Sequence, residues 1–147
     1  MTMAAHDPHD LARFVTAQEG AYARALAEIR AGRKRTHWMW FVFPQIVGLG
    51  SSSTARFYAI QDRAEAEAYL ADPVLGLRLQ AISGALLAVK GKTASEIFGF
   101  PDDLKLRSAA TLFASVSEPG SVFERVLEKF FGGELDPETL RRLGAGQ

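Results

Sequence analysis

"ADPVLGLRLQAISGALLAVKG", residues 71–91, contains a helix start, a long apolar stripe and a stop. Asp72 followed by Pro73 is a cap followed by proline at the first turn, where a missing N–H costs nothing. Leu75, Leu79, Ile82, Leu86 and Val89 then recur at spacings of three and four, which places them along one face of an α-helix. Gly91 ends the pattern. A helix with so apolar a stripe needs partners of its own kind, and the flanking sequence supplies them.

Upstream, Asp62 with Glu65 three residues later is a capping signature for "RAEAEAYLA". Downstream, "TASE" at 93–96 and "SVFE" at 121–124 repeat that signature, Pro101 opens a helix through Leu112, and Gly132–Gly133 close the one that ends at Phe131. Asp136–Pro137 begins a last short helix. At the other end Asp7–Pro8 caps a helix on which Phe14, Gln18, Tyr22, Leu26 and Ile29 share a face, closed by Gly32, with Gly20 a candidate break because glycine is a poor interior residue. Thr36 is expected to cap a short helix over His37–Phe43, ended by Pro44. "QIVGLGSSS" reads as a loop, and "TARFYAI" suits either a helical turn or a strand. No segment sustains the alternation of a strand, and no linker divides the chain. The expectation is an all-α fold, one compact domain (1–147) of about seven or eight short helices, with residues 1–9 frayed and 144–147 a loose tail.

Composition narrows the function. The 147 residues are 48% hydrophobic and 23% charged, with seventeen basic and seventeen acidic side chains and no cysteine. That is globular composition. Disulfides, thiolate metal sites and cysteine nucleophiles are excluded, and a reducing cytoplasm is the expected location. No run approaches the roughly 18 apolar residues of a membrane span. Zero net charge gives no long-range attraction to nucleic acid or anionic lipid, so any anion site must be local.

The local candidate is "RAGRKRTHWMWFVFPQ", residues 30–45. Arg30, Arg33, Lys34 and Arg35 complement a helix C-terminus, which alone would explain them. Arginine forks also suit phosphate or carboxylate, and His37 adds a switchable donor. Trp38, Trp40, Phe41 and Phe43 are core residues, or a core with one indole left to stack on a ligand ring. Gln45 follows Pro44 as a polar suspect, and Gln18 sits on an apolar face; both are more often structural amides. In "FPDDLKLRSAATLF", residues 100–113, Lys105, Ser108 and Thr111 lie close on one helical face amid apolar residues, and buried hydroxyls need partners. Asp102 and Asp103 suit a helix start; Asp103 is also the nearest carboxylate for glycosidic chemistry. With His6, His9 and His37 the only histidines, no metal cluster is expected. "GLGSSS" is neither a dinucleotide fingerprint nor a P-loop, so no cofactor is expected either.

Taken with "AEAYLADPVLGLRL" and "IFGFPDDLKLRSAATLF", the block H-W-M-W-F-x-F-P-Q resembles a bacterial and fungal family. It is numbered eighteen-ten among the domains of unknown function, and the resemblance runs from about Leu11 to Leu140. It implies no activity. The label calpastatin attached to some members denotes a long disordered inhibitor and does not suit this composition. Where the family often carries a serine–methionine pair, this chain has Ala109 and Ala110, which removes a hydroxyl at 109. A fainter likeness, carried by an A-Q segment followed by basic and aromatic residues, is to the NADAR (NAD- and ADP-ribose-associated) family. Those are small helical proteins linked to N-glycosidic bond cleavage; no catalytic residue carries over, but the likeness implies a pocket for a ribose-phosphate ligand.

Two functional expectations result. One is a phosphorylated or nucleotide-like ligand of the ADP-ribose type, bound by Arg33, Lys34, Arg35, His37, Trp38, Trp40, Gln45, Lys105 and Ser108. An N-glycosidase-type hydrolysis there would use Asp103. The other is a non-enzymatic interaction module that docks the same basic block on an acidic protein or nucleic-acid partner.

Overall fold

Asp72 does what its position before a proline predicts: Oδ1 accepts the N–H groups of Val74 and Leu75 at 2.9 and 3.0 Å. The helix that follows, α6 (Leu75–Ala88), buries Leu75, Leu79, Ile82 and Leu86 to 2% exposure or less. Burial of one such side chain contributes about 1.5–3 kcal/mol, so this stripe is a large share of what holds the fold. In this computed structural model, which describes residues 6–145, α6 packs against α2 (Ala21–Arg30), α5 (Arg63–Ala71) and α9 (Val122–Phe131). Gly76 lets α5 and α6 meet closely. A Cβ there would stand 2.1 Å from the Leu70 carbonyl oxygen, a backbone atom with no room to move.

A second long helix, α8 (Asp102–Ser115), packs on α9, on α5, on α7 (Ala94–Phe98) and on α10 (Pro137–Ala145). The remaining helices are α1 (Ala12–Gln18), α3 (Met39–Val42) and α4 (Ser53–Phe57), which makes ten among the described residues. The all-α expectation holds. The number exceeds seven or eight because the stretch at 53–57 forms a helix of its own, α4, and because Gly20, whose φ is +76°, splits the first helix in two. Among the described residues the one β feature is an isolated parallel bridge, Ile46 to Ile60. Its bonds, Val47 N to Ile60 O and Ile60 N to Gln45 O, both 2.8 Å, staple the glycine- and serine-rich loop to the chain beyond α4.

Most caps read from sequence are in place. Asp62 and Ser121 accept the N–H groups of Glu65 and Glu124, and Thr93 with Glu96 forms a complete capping box. Asp7 acts at a distance, its carboxylate accepting from Leu11 N and Ala12 N just ahead of and within α1. The expectation for residues 1–5 lies outside the described residues. At the other end α10 continues through Gly144 to Ala145, so the tail expected from 144 is helical there, and 146–147 lie outside the described residues.

Thr36 is a correction. It caps nothing, and its helix begins only at Met39. Its hydroxyl is drawn elsewhere, to a carboxylate eight residues back. Among the described residues no single helix is long and apolar enough to cross a membrane.

Candidate functional site

That carboxylate, Glu28 on α2, organises the block that seemed most functional in sequence. Glu28 is buried, and its Oε1 accepts from Arg35 N at 2.7 Å, Thr36 N at 3.1 Å and Trp38 Nε1 at 2.9 Å. Oε2 accepts the Thr36 hydroxyl at 2.7 Å. Burial alone would raise the Glu28 pKa, but these four bonds outweigh it and hold the group at about 2. The consequence is local geometry. From 33 to 38 the chain runs without helix, and exposure alternates: Lys34, Thr36 and Trp38 turn inward while Arg33, Arg35 and His37 face solvent.

The inward residues are structural. Trp38 is fully buried, with Phe43 and Phe98 centroids at 6.2 and 6.3 Å. Lys34 covers its ring at 5.0 Å, donates to Thr36 O at 2.7 Å and pairs with Asp102 at 2.9 Å. Gln18 is likewise spent inside, donating to Phe41 O and the Tyr69 hydroxyl. The outward residues Arg33, Arg35 and His37 are exposed and take no part in the wall of the cleft described next.

Four of the expected site residues do converge, one step further along. α3 buries Met39 and Val42, which leaves Trp40 half-exposed at the wall of a cleft of about 510 Å³. One side of the cleft is the loop from Gln45 through Leu49, Gly50 and Ser51 to Ser52, with Ala55 of α4; the other is α8, with Leu104, Lys105 and Ser108. Lys105 Nζ lies 5.5 Å from the centroid of the Trp40 ring and 3.4 Å from Asp102 Oδ1. Beneath the loop a chamber of about 20 Å³, enough for one water, shares Trp40, Gln45, Gly50 and Ala55 with the cleft.

The far end of the cleft is formed by Asp136 and Glu138, which sequence reading passed over. Ser108 Oγ donates to Asp136 Oδ2 at 2.8 Å, and the Thr139 hydroxyl donates to the same oxygen. Asp136 N in turn donates to Thr111 Oγ1 at 2.9 Å, so both buried hydroxyls of α8 serve to hold the start of α10. Burial pushes the Asp136 pKa up, yet these hydroxyls and a backbone N–H from Glu138 outweigh it, and the net shift is downward. Glu138 is bound by Arg141 and by Arg142, whose Nε lies 2.8 Å from Oε2. Arg142 in turn rests on Gly48, whose φ of +97° and missing Cβ admit the guanidinium. Asp103, by contrast, faces its own helix start, accepting from Leu104 N at 2.9 Å, and is not part of the cleft wall. The signal for Asp136 was present only as an ordinary cap before Pro137.

Chemically, the arrangement offers one cation against an indole face, a row of hydroxyl and amide groups, and a carboxylate held ionised at the opposite end. Among the described residues no three His, Asp or Glu side chains gather to hold a metal.

Comparison with known proteins adds a lineage. A family described as "Protein of unknown function (DUF1810)" matches residues 8–143. The chain belongs to the DUF1810 family. Among solved structures, this DUF1810 chain is similar to the conserved hypothetical protein Rv1873 from Mycobacterium tuberculosis, whose crystal structure was determined at 1.38 Å. The two are 50% identical, with a TM-score of 0.92 over 94% of this chain and 99% of that one. No curated protein matches the chain. The fainter likeness to the NADAR family finds no support in these comparisons.

Proposed function

We propose that this protein binds a small phosphorylated molecule carrying a flat ring, of nucleoside-monophosphate size, in the cleft between α8 and the loop at 45–52. The observation that carries the reading is the Lys105 ammonium poised 5.5 Å from the Trp40 ring in a cleft of about 510 Å³. That volume lies within the range of small-molecule sites, roughly 300–1,000 Å³. A cation next to an exposed indole suits an acidic group joined to a ring, and Gln45, Ser51, Ser52 and Ser108 supply polar contacts along the wall. One phosphate fits this better than several, because Arg33 and Arg35 point away from the cleft and leave Lys105 as its cation beside the indole.

The hydrolytic form of the reading assigns Asp136, rather than Asp103, to the reacting centre. Cleavage of an N-glycosidic bond passes through an oxocarbenium-like state that an ionised carboxylate stabilises, and Asp136 is half-buried at the cleft with its pKa held low. Release of free base from a nucleoside monophosphate, lost in Asp136→Asn, is the corresponding assay.

The binding test is a thermal-shift and calorimetric titration with nucleoside 5′-monophosphates and ADP-ribose. A ligand that binds only the native state raises its melting temperature. Wild type and Arg35→Ala are expected to respond alike, and Trp40→Ala and Lys105→Ala to lose the response while remaining folded. Undiminished binding in both cleft variants would remove the proposal.

A further inference from the structure

The cleft is electrically two-ended. Lys105 and Ser108 are three residues apart on α8, a rise of about 4.5 Å, and both line it. At the first position stands the ammonium, beside the Trp40 indole. At the second, Ser108 hands on to the Asp136 carboxylate at 2.8 Å. Glu138 also lines the cleft, with its charge met by Arg141 and Arg142. Arg107 acts on Asp136 through space and Asp102 lies 3.4 Å from Lys105, so each end keeps its sign against a partial countercharge.

An ionised phosphate seated on Lys105 therefore shares the cleft with the Asp136 carboxylate. Two like charges in one cleft repel by an amount that matters wherever water is partly displaced. A positive group on the ligand between them turns that repulsion into attraction. The hydrogen-bonding capacity points the same way. Asp136 Oδ2 already takes two hydroxyl protons, and a carboxylate is acceptor-only. Such an end is served by donors and, most strongly, by a charged donor.

We infer that the preferred ligands of this cleft are zwitterionic, an amine-bearing phosphate whose anion meets Lys105 and whose ammonium meets Asp136. The inference rests on the binding site proposed above and adds the second charge to it. No bond is made or broken.

Three probes of nearly one shape separate the possibilities: glucosamine 6-phosphate, glucose 6-phosphate and N-acetylglucosamine 6-phosphate, titrated calorimetrically into the whole protein at low salt. The first carries an ammonium, the second a hydroxyl in its place, the third a neutral amide. The amine is expected to bind at least tenfold more tightly than either neutral analogue, with Asp136→Asn reducing that ratio towards one. The wild-type ratio decides the matter without any variant, which covers the case in which Asp136→Asn, having lost its ionised cap, does not fold. Equal affinity for the three sugars overturns the second charge and leaves the phosphate site standing. Absence of binding by all three, with nucleoside monophosphates still bound, likewise overturns it. Absence of binding by sugars and nucleotides together overturns the cleft itself as a phosphate site.

Discussion

Replacing Glu28 by glutamine removes a negative charge from a place where four donors converge on it. Holding a carboxyl at about 2 in the folded chain, against 4.5 for the free group, is worth about 3 kcal/mol at neutral pH. The folded value is the depressed one, so the contribution is complete above pH 4.5 and disappears as pH falls through 4.5 towards 2. At pH 3 about 2 kcal/mol of it is gone. Asp7 and Asp136 are also held below the usual carboxylate value, by backbone N–H groups at Asp7 and by hydroxyls at Asp136, and so add their own pH dependence. The informative quantity is therefore the difference between wild type and Glu28→Gln. Urea denaturation at pH 7, 5, 4 and 3 should show the variant less stable by about 3 kcal/mol at pH 7, with the gap narrowing to about 1 kcal/mol at pH 3. A gap that stays constant over the whole range refutes the assignment of Glu28 as the charged centre of this knot.

Trp38→Phe withdraws one donor from the same carboxylate and is expected to cost about 1–3 kcal/mol, whereas Trp40→Phe should change stability by less than about 1 kcal/mol; melting temperatures of the two variants compare them directly. Arg13 bonds the carbonyls of Phe57 and Ala59 and pairs with Glu65 at 2.8 Å, both side chains being under a tenth exposed. Arg13→Leu strands a buried carboxylate, and a loss of about 3–5 kcal/mol that added salt does not mask is expected in thermal unfolding.

Local rules carried the fold. Asp62, Thr93 with Glu96, and Ser121 each signal a helix start through atoms three residues apart, and such signals survive whatever the rest of the chain does. The period of α6 named its buried face for the same reason. Thr36 failed as a cap because a stronger acceptor, Glu28, reaches it from another helix. That contact, eight residues apart in sequence, also accompanies a non-helical run at 33–38 in place of a helix end, along which Arg33 and Arg35 face outward instead of towards the indoles. Trp40, Gln45, Lys105 and Ser108 were singled out individually as residues too polar or too large for their surroundings, and the fold gathers them. Asp136 was hidden by its own cap signature, since nothing in "LDPET" shows that Ser108, 28 residues earlier, will lie beside it. Sequence spacing reports neighbours along a helix, not across a cleft.

The two tryptophans, the only ones in the chain, stand two residues apart and inhabit different worlds. Trp38 is sealed among phenylalanines, while Trp40 looks into the cleft with a lysine at its face. Their fluorescence consequently divides the labour: the blue-shifted emission of the first follows unfolding, and quenching of the second follows occupancy. A chain with phenylalanine at 38 or at 40 is thus a single-colour optical gauge for one event or the other, with no dye attached.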